Sequence, residues 1–399
     1  MLYNKDYLEQ LMQLKDHFSI KVITGVRGIG KTKLLSEFVK TLKEHGIPNE
    51  QIIFINFDEI ENITDFQQLY EFINEKIMYL EQAYLIFDEI QQVQGWEKAI
   101  NAFFVGSPVD IYISSSNNGI LSEDFLHLLS DHYELIHIYP LTFNEYLKKF
   151  SDTEKINNDS IFKYYLKYGG FPILTHTEKD SEILPTLLSG IYYTALTKDI
   201  ISRYGVRDAD LLDSLNRCLA ENLGKAITPK VIETYLSNIG KITTGYTMDN
   251  YLKMINESGI FCRIYRYDIK SKTKVNGSER FYCADTGIYN SLMNFNSDNI
   301  NATLENIVCI ELWRQGYEVF VGKIGEQQVN FVAIKNSQPV YIQVIDTIDS
   351  KSKLRKMLNP LQRIPDQYNK MILSMDYPKI NDYNGIKHFN IFDFINRNI

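Results

Sequence analysis

Two short stretches hold the residue types that phosphate chemistry needs. Gly25-Val26-Arg27-Gly28-Ile29-Gly30-Lys31-Thr32 has the GxxxxGK[ST] spacing. Gly25 and Gly30 let the backbone curl so that successive N–H groups point inward at phosphate oxygens, and the positive end of a following helix adds to that field. In this pattern Lys31 reaches the β- and γ-phosphates and the Thr32 hydroxyl ligates Mg²⁺. The run from Gly25 to Lys33 is therefore the candidate cofactor-binding segment. Further along stands Asp88-Glu89. A carboxylate at a strand tip beside such a loop can hold Mg²⁺, which pairs Asp88 with Thr32 as candidate metal residues. An adjacent Glu can orient and deprotonate an attacking water, which makes Glu89 the candidate general base. Ser115-Ser116-Asn117-Asn118 is a third polar cluster. There Asn117 could hydrogen-bond the γ-phosphate or the lytic water, or simply form an Asn-rich turn. The implied cofactors are ATP and Mg²⁺.

These groups need a frame to hold them. Ile20–Thr24 reads as a buried strand, and KTKLLSEFVKTL after the loop has Leu34, Leu35, Phe38, Val39 and Leu42 at helical spacing. Strand-like runs at 51–56, 83–87, 110–114 and 135–138, with a helix at 119–129, complete the pattern. It predicts an α/β fold: a five-stranded parallel P-loop sheet with helices on both faces, its polar groups gathered at the carboxyl edge.

The 399 residues suit two or three domains, and 44% hydrophobic with 23% charged residues excludes a largely disordered chain. No apolar run approaches the ~18 residues of a membrane span, and the first residues lack a signal-peptide core. Cys218, Cys262, Cys283 and Cys309 are too scattered for a zinc site or disulfide framework. A cytoplasmic location and no membrane partner are expected. The net charge of −8 is uneven: residues 1–210 carry −12 and residues 211–399 carry +4, which leaves room for an anionic partner at the back.

Several phrases resemble prokaryotic AAA-type ATPases that carry a C-terminal domain of unknown function. They are IKVITGVRGIGKTKLL, AYLIFDEIQQVQGWEKAIN, DIYISSSNNGILSEDF, IYPLTFNEYL, YLKYGGFP, RFYCADTGIYN, LENIVCIELWRQGYEVFVGK and GIKHFNIFDFI. The resemblance spans nearly the whole chain and implies ATP binding and hydrolysis. Where such proteins usually read LSGRY, this chain has Leu129-Ser130-Asp131-His132-Tyr133. If the missing Arg contacts nucleotide, locally or across a homo-oligomer interface, His132 replaces it poorly. Slow turnover is then expected, unless Arg203, Arg207 or Arg27 takes the role.

Residues 160–205 read as helices joining domains. Helical patterns follow at 211–223, from Thr228-Pro229 to about 240, and at 247–258. FCRIYRYDI and RFYCA then form two strand-like runs, with Asn276-Gly277 as the hairpin turn signal between them. Three helices and a hairpin make a winged-helix arrangement, as the resemblance also implies. Residues 253–280 hold seven Lys and Arg against three acids. Lys253, Arg263, Lys270, Lys272 and Lys274 are the candidate DNA-backbone contacts.

Leu304-Glu305-Asn306 opens a helix read as amphipathic, followed by strands at 317–321, 329–334 and 340–345, a helix, a strand at 371–375 and a final helix. This order resembles the PD-(D/E)XK nuclease core. The matching positions are Asn330, Gln343 and Ile345, and only Glu305 keeps an acid, so the resemblance carries no nuclease activity. Glu326 and Asp346 do not match the motif. The expected domains are 1–150 (ATPase), 151–205 (helical linker), 206–290 (winged helix) and 291–399 (degenerate nuclease-like). The expected function is a slow Mg-dependent ATPase whose nucleotide state governs DNA binding. The alternative is a nucleotide-gated protein-interaction switch that touches no nucleic acid.

Overall fold

The β-branched and aromatic runs of the front third become β1 (Ile20–Thr24), β2 (Ile52–Asn56), β3 (Ala83–Asp88), β4 (Val109–Ser115) and β5 (Tyr133–His137). They lie in the order β2-β3-β4-β1-β5, and every neighbouring pair is parallel. These come from a computed structural model that describes residues 5–60, 62–120, 132–150, 158–176, 182–296, 299–378 and 380–396. Most of the helix expected at 119–129 lies outside the described residues.

The chain divides into two units, residues 1–139 with 257–259 and residues 140–256 with 260–399. In the first, α1 (Lys5–Gln13), α2 (Lys31–Glu44), α3 (Phe66–Ile77) and α4 (Trp96–Gly106) accompany the sheet. On one face Leu69, Ile73, Ile100 and Phe103 pack on Val22, Leu85, Phe87 and Ile113. On the other, Phe38 of α2 lies 4.5 Å from the Tyr112 ring. With both faces covered, β1 and β3 are buried along their whole length. That burial includes Lys21, whose ammonium is compensated at the amino end of the sheet by Asp110 at 2.6 Å and the His17 carbonyl at 2.8 Å.

The second unit begins with α5 (Phe143–Phe150), α6 (Asn158–Tyr168) and α7 (Ile183–Ala195), the last continuing as a π-helical turn over Leu196–Ser202. Next come α8 (Ala209–Glu221), α9 (Pro229–Asn238) and α10 (Gly245–Glu257). Thr228 caps α9 by accepting from the Val231 N–H, and Pro229 opens the helix as read. The hairpin is β6 (Phe261–Asp268) and β7 (Thr273–Cys283), so the turn is not at Asn276-Gly277. The chain reverses over residues 269–272, where an Asp268 carboxylate oxygen accepts from the Lys270 and Ser271 N–H groups. The Asn-Gly pair lies inside β7, at a bulge where the register jumps from Arg266↔Val275 to Ile264↔Arg280. Gly277 and Ser278 absorb that jump at φ +85° and +61°.

After α11 (Thr286–Leu292) and α12 (Ile300–Arg314) come β8 (Glu318–Ile324), β9 (Gln327–Lys335), β10 (Gln338–Val344), α13 (Lys351–Gln362), β11 (Lys370–Ser374), β12 (Asp382–Tyr383), β13 (Ile386–Asn390) and α14 (Ile391–Ile395). The order β12-β13-β11-β10-β9-β8-β6-β7 puts the hairpin in the same sheet as the C-terminal strands, with β6 parallel to β8. The line drawn between residues 290 and 291 therefore falls within one unit. Helix α12 begins at Ile300 and is buried on most sides rather than amphipathic, because β7–β10 and α11 pack around it. The sequence reading also passed over β12 and β13.

Two phrases of the family resemblance interlock here. Asp285 of CADTG accepts from the Gly170 N–H at 2.8 Å and the Gly287 N–H at 2.7 Å, joining it to YLKYGGFP. Gly169 has φ +79°, and a Cβ there would lie 1.9 Å from the Asp285 carboxylate.

Candidate active site at the carboxyl edge of the front sheet

β1 runs straight into the glycine loop. Gly25, Gly28 and Gly30 have φ of +149°, +84° and +103°, which side-chain-bearing residues rarely adopt. A Cβ on Gly25 would also meet the Ile138 carbonyl at 2.7 Å. Val26 and Ile29 turn their side chains into the core, so at those positions the loop offers only backbone. Helix α2 starts at Lys31 with Gly30 as its N-cap. That glycine brings no side-chain acceptor to the first-turn N–H groups, which leaves an anion seat.

Side chains from the loop and from β3 meet. The Lys31 ammonium, 3% exposed, donates to the Gly25 carbonyl at 2.9 Å and lies 3.2 Å from Glu89 Oε1. The Thr32 hydroxyl donates to Asp88 Oδ2 at 2.6 Å, and the Ser114 hydroxyl donates to Asp88 Oδ1. Glu89 has φ +54°, a strained conformation for a glutamate. Its Oε2 accepts from the Ser116 N–H (3.1 Å), the Ser116 hydroxyl (2.8 Å) and Gln91 Nε2 (2.5 Å). Arg27 lies 3.7 Å from that same oxygen and donates to Asp58 Oδ2 at 2.6 Å and to the Ser116 hydroxyl at 3.4 Å.

The two carboxylates are tuned in opposite directions. Burial pushes Asp88 above its ordinary value, against hydrogen bonds from Ser114 and Thr32. Burial would raise Glu89 too, but the Lys31 and Arg27 charges, with hydrogen bonds from Gln91 and Ser116, bring it down to about 2.

The structure brings together Lys31, Thr32, Asp88 and Glu89 with Ser116 of the polar cluster, and it adds Ser114, Gln91 and Asp58, which the sequence does not single out. Asp58 had a signal, since it stands just beyond the carboxyl end of β2, beside the strand that ends in Asp88. Arg27, a candidate for the role of the missing arginine, is largely enclosed. Lys33 is exposed on α2. Asn117 is buried with its Oδ1 taken by the Gly119 N–H at 2.5 Å, and its neighbour Ser116 is the residue that reaches Glu89. His132 sits at the amino end of β5 against Phe18 and Phe104, at the opposite edge from the glycine loop, so it does not replace a nucleotide-contacting Arg within this sheet. Residues 129–131 lie outside the described residues. Arg203 and Arg207 are exposed in the second unit.

In the second unit Lys253, Lys270, Lys272 and Lys274 are exposed. The Lys274 ammonium lies 3.6 Å over the Tyr265 ring. Arg263 lies over Phe281, 3.6 Å from Glu279. Arg280, counted in the basic patch, is buried and faces inward: it donates to Gln328 Oε1 at 2.7 Å and lies 3.6 Å from Glu305. The positions matched to the nuclease motif converge, as Glu305, Asn330, Gln343 and Ile345 line one pocket of about 450 Å³ with Arg280 and Lys356. Asn330 N–H donates to Gln343 Oε1, Val344 N–H donates to Asn330 Oδ1, and Gln343 Nε2 donates to the Gln328 carbonyl. Burial raises the Glu305 carboxyl although Arg280 and Tyr282 oppose it. Among the described residues no group of three or more His, Cys, Asp or Glu could hold a metal ion.

Residues 17–147 match the AAA domain family, and residues 159–299 match a domain of unknown function (DUF8612). Over 402 aligned residues, 99% of this chain and 98% of the relative, the sequence is 35% identical to an uncharacterized protein of Haemophilus influenzae. The chain belongs to that family of AAA-domain proteins. An uncharacterized protein of Methanocaldococcus jannaschii is 28% identical, over 85% of this chain and 77% of that one. Among solved structures, the Walker-type ATPase of Pyrococcus abyssi matches with a TM-score of 0.53 at 14% identity, over 73% of this chain and 96% of that one, a likeness of fold. The AAA domain here is a parallel-sheet P-loop fold, and no helix among the described residues is long and apolar enough to cross a membrane.

This AAA domain has the groups that a nucleotide with its magnesium requires. The glycine loop is a cradle that a Cβ would fill at Gly25, the first turn of α2 has no side-chain cap, and Lys31 is a buried cation at the loop. Thr32 and Asp88 present adjoining hard oxygen donors of the kind Mg²⁺ takes.

Proposed function

We propose that the front unit binds Mg-ATP and hydrolyses it slowly, and that the nucleotide state governs how the rear unit holds DNA. The observation that carries this reading is the meeting of loop and strand tip: Lys31 with Glu89, and Thr32 with Asp88. Bound there, Mg-ATP supplies an activated phosphoanhydride. The residues do the rest. Backbone N–H groups of residues 25–33 and the Lys31 ammonium hold phosphate oxygens, Thr32 and Asp88 hold the metal, and Glu89 takes a proton from water at a carboxylate oxygen. The engagement of Glu89 by both Lys31 and Arg27 supports slow turnover. The test is Glu89→Gln on the full chain: it should still bind a non-hydrolysable ATP analogue by calorimetry while phosphate release falls. Equal release by wild type and variant would remove Glu89 from this role.

The DNA half of the reading is supported by the exposed lysines at 253, 270, 272 and 274. The inward orientation of Arg280 and the engagement of Arg263 by Glu279 favour a second reading, a nucleotide-gated protein-interaction switch. Salt separates the two, because phosphate-backbone binding weakens steeply as salt rises. Failure of both duplex and single-stranded DNA to bind at low salt, with either nucleotide, would leave the switch.

A further inference from the structure

Arg27 has more acceptors than an ordinary loop residue needs. Its guanidinium reaches three strand tips at once: Asp58 beyond β2 (2.6 Å), Glu89 beyond β3 (3.7 Å) and Ser116 beyond β4 (3.4 Å). Its side chain is only 13% exposed. Lys31 approaches the other oxygen of Glu89, so two cations from one loop flank a single carboxylate. They are anchored differently. Lys31 is tied to the loop's own Gly25 carbonyl, whereas Arg27 is tied across to Asp58, which Gln92 Nε2 also holds at 3.1 Å.

We propose that Arg27 is the residue by which this site tells a nucleoside triphosphate from a diphosphate, exchanging Asp58 and Glu89 for the oxygens of the terminal phosphate and thereby releasing Glu89. The inference rests on the front unit being a nucleotide site, as proposed above. A guanidinium binds carboxylate and phosphate through the same planar fork, so the two are direct competitors for it. A diphosphate lacks the terminal group and leaves the Asp58 contact in place. Arg27 can shift this balance only by its difference in affinity for the two sets of oxygens, and that difference is what a binding experiment reads.

The experiment is calorimetry on the full chain with Mg²⁺, titrating β,γ-methylene ATP and ADP separately. The wild type is expected to prefer the triphosphate analogue. Arg27→Ala should cut that preference at least tenfold, and Arg27→Lys, which keeps the charge but not the fork, should restore less than half of it. Asp58→Asn, which removes the competitor, should raise the preference at least threefold. If both nucleotides bind to Arg27→Ala with the wild-type preference, the role of Arg27 is overturned and the nucleotide site stands. Should Arg27→Ala fail to fold, an unchanged preference in Asp58→Asn overturns it equally. A wild type that binds neither nucleotide overturns the site and the inference together.

Discussion

The front edge and the rear pocket both gather polar side chains, the first at strand tips and the second from strands and helices, yet they differ in what those side chains are free to do. At the front, carboxylates meet cations and hydroxyls through contacts that an incoming anion or metal can replace: Lys31 with Glu89, Arg27 with Asp58, Thr32 with Asp88. At the rear, the amides of Asn330 and Gln343 are stitched to each other's strands, so their hydrogen bonds belong to the sheet. Exchangeable ion pairs suit turnover, and fixed amide bonds suit architecture. A pocket's position in a fold does not make it catalytic, whereas the chemistry of its side chains can.

The largest expected effect lies at the front. Lys31→Ala should weaken binding of the triphosphate analogue by on the order of 100-fold or more, since it removes a buried charge-assisted contact. Calorimetry checks this, and retained affinity would place the front edge with the rear as architecture.

Next is Gln343→Glu. It sets a second carboxylate near Glu305 and removes the amide donor to the Gln328 carbonyl. Destabilisation of about 2–4 kcal/mol is expected, read as a lower urea midpoint with an unchanged slope. A variant as stable as wild type that gains Mg²⁺ binding would erase the contrast.

The third is a pH effect. Glu89 folds with its carboxyl at about 2 against an ordinary 4.5. A depressed folded value means the stabilisation is present above pH 4.5 and fades as pH falls toward 2. It is worth on the order of 3 kcal/mol by linkage. Acid unfolding of wild type should therefore show a steeper loss over that window than Glu89→Gln, and coincident curves would deny the charge cluster its strength.

The smallest expected effect is at the hairpin. Lys272→Ala with Lys274→Ala should weaken DNA binding several-fold and lower the salt slope by about 2, for any sequence, measured by fluorescence anisotropy.

How much the sequence disclosed followed from how local each signal is. The glycine spacing and Asp88-Glu89 were legible because strand, loop and helix follow one another along the chain. Arg27, Asp58 and Ser116 were not seen as a group, because three separate strand tips bring them together and no spacing encodes that. Asn117 had two readings, a phosphate contact or a turn former, and its side-chain carbonyl serves the local turn. Asn276-Gly277 is a strong turn signal that lost to Asp268, whose carboxylate organises the reversal several residues earlier. Helix α12 was misjudged because its burial depends on distant strands that wrap it.

The pairing of β6 with β8 has a mechanical consequence. The hairpin is not a loose flap: force applied at its tip passes along a continuous ladder into the strands that hold Asn330 and Gln343. Cutting the chain after residue 290 would strip β6 of that neighbour and bare a strand margin able to recruit other chains. A soluble middle fragment should therefore be sought by cutting well before residue 261, or by keeping the tail attached.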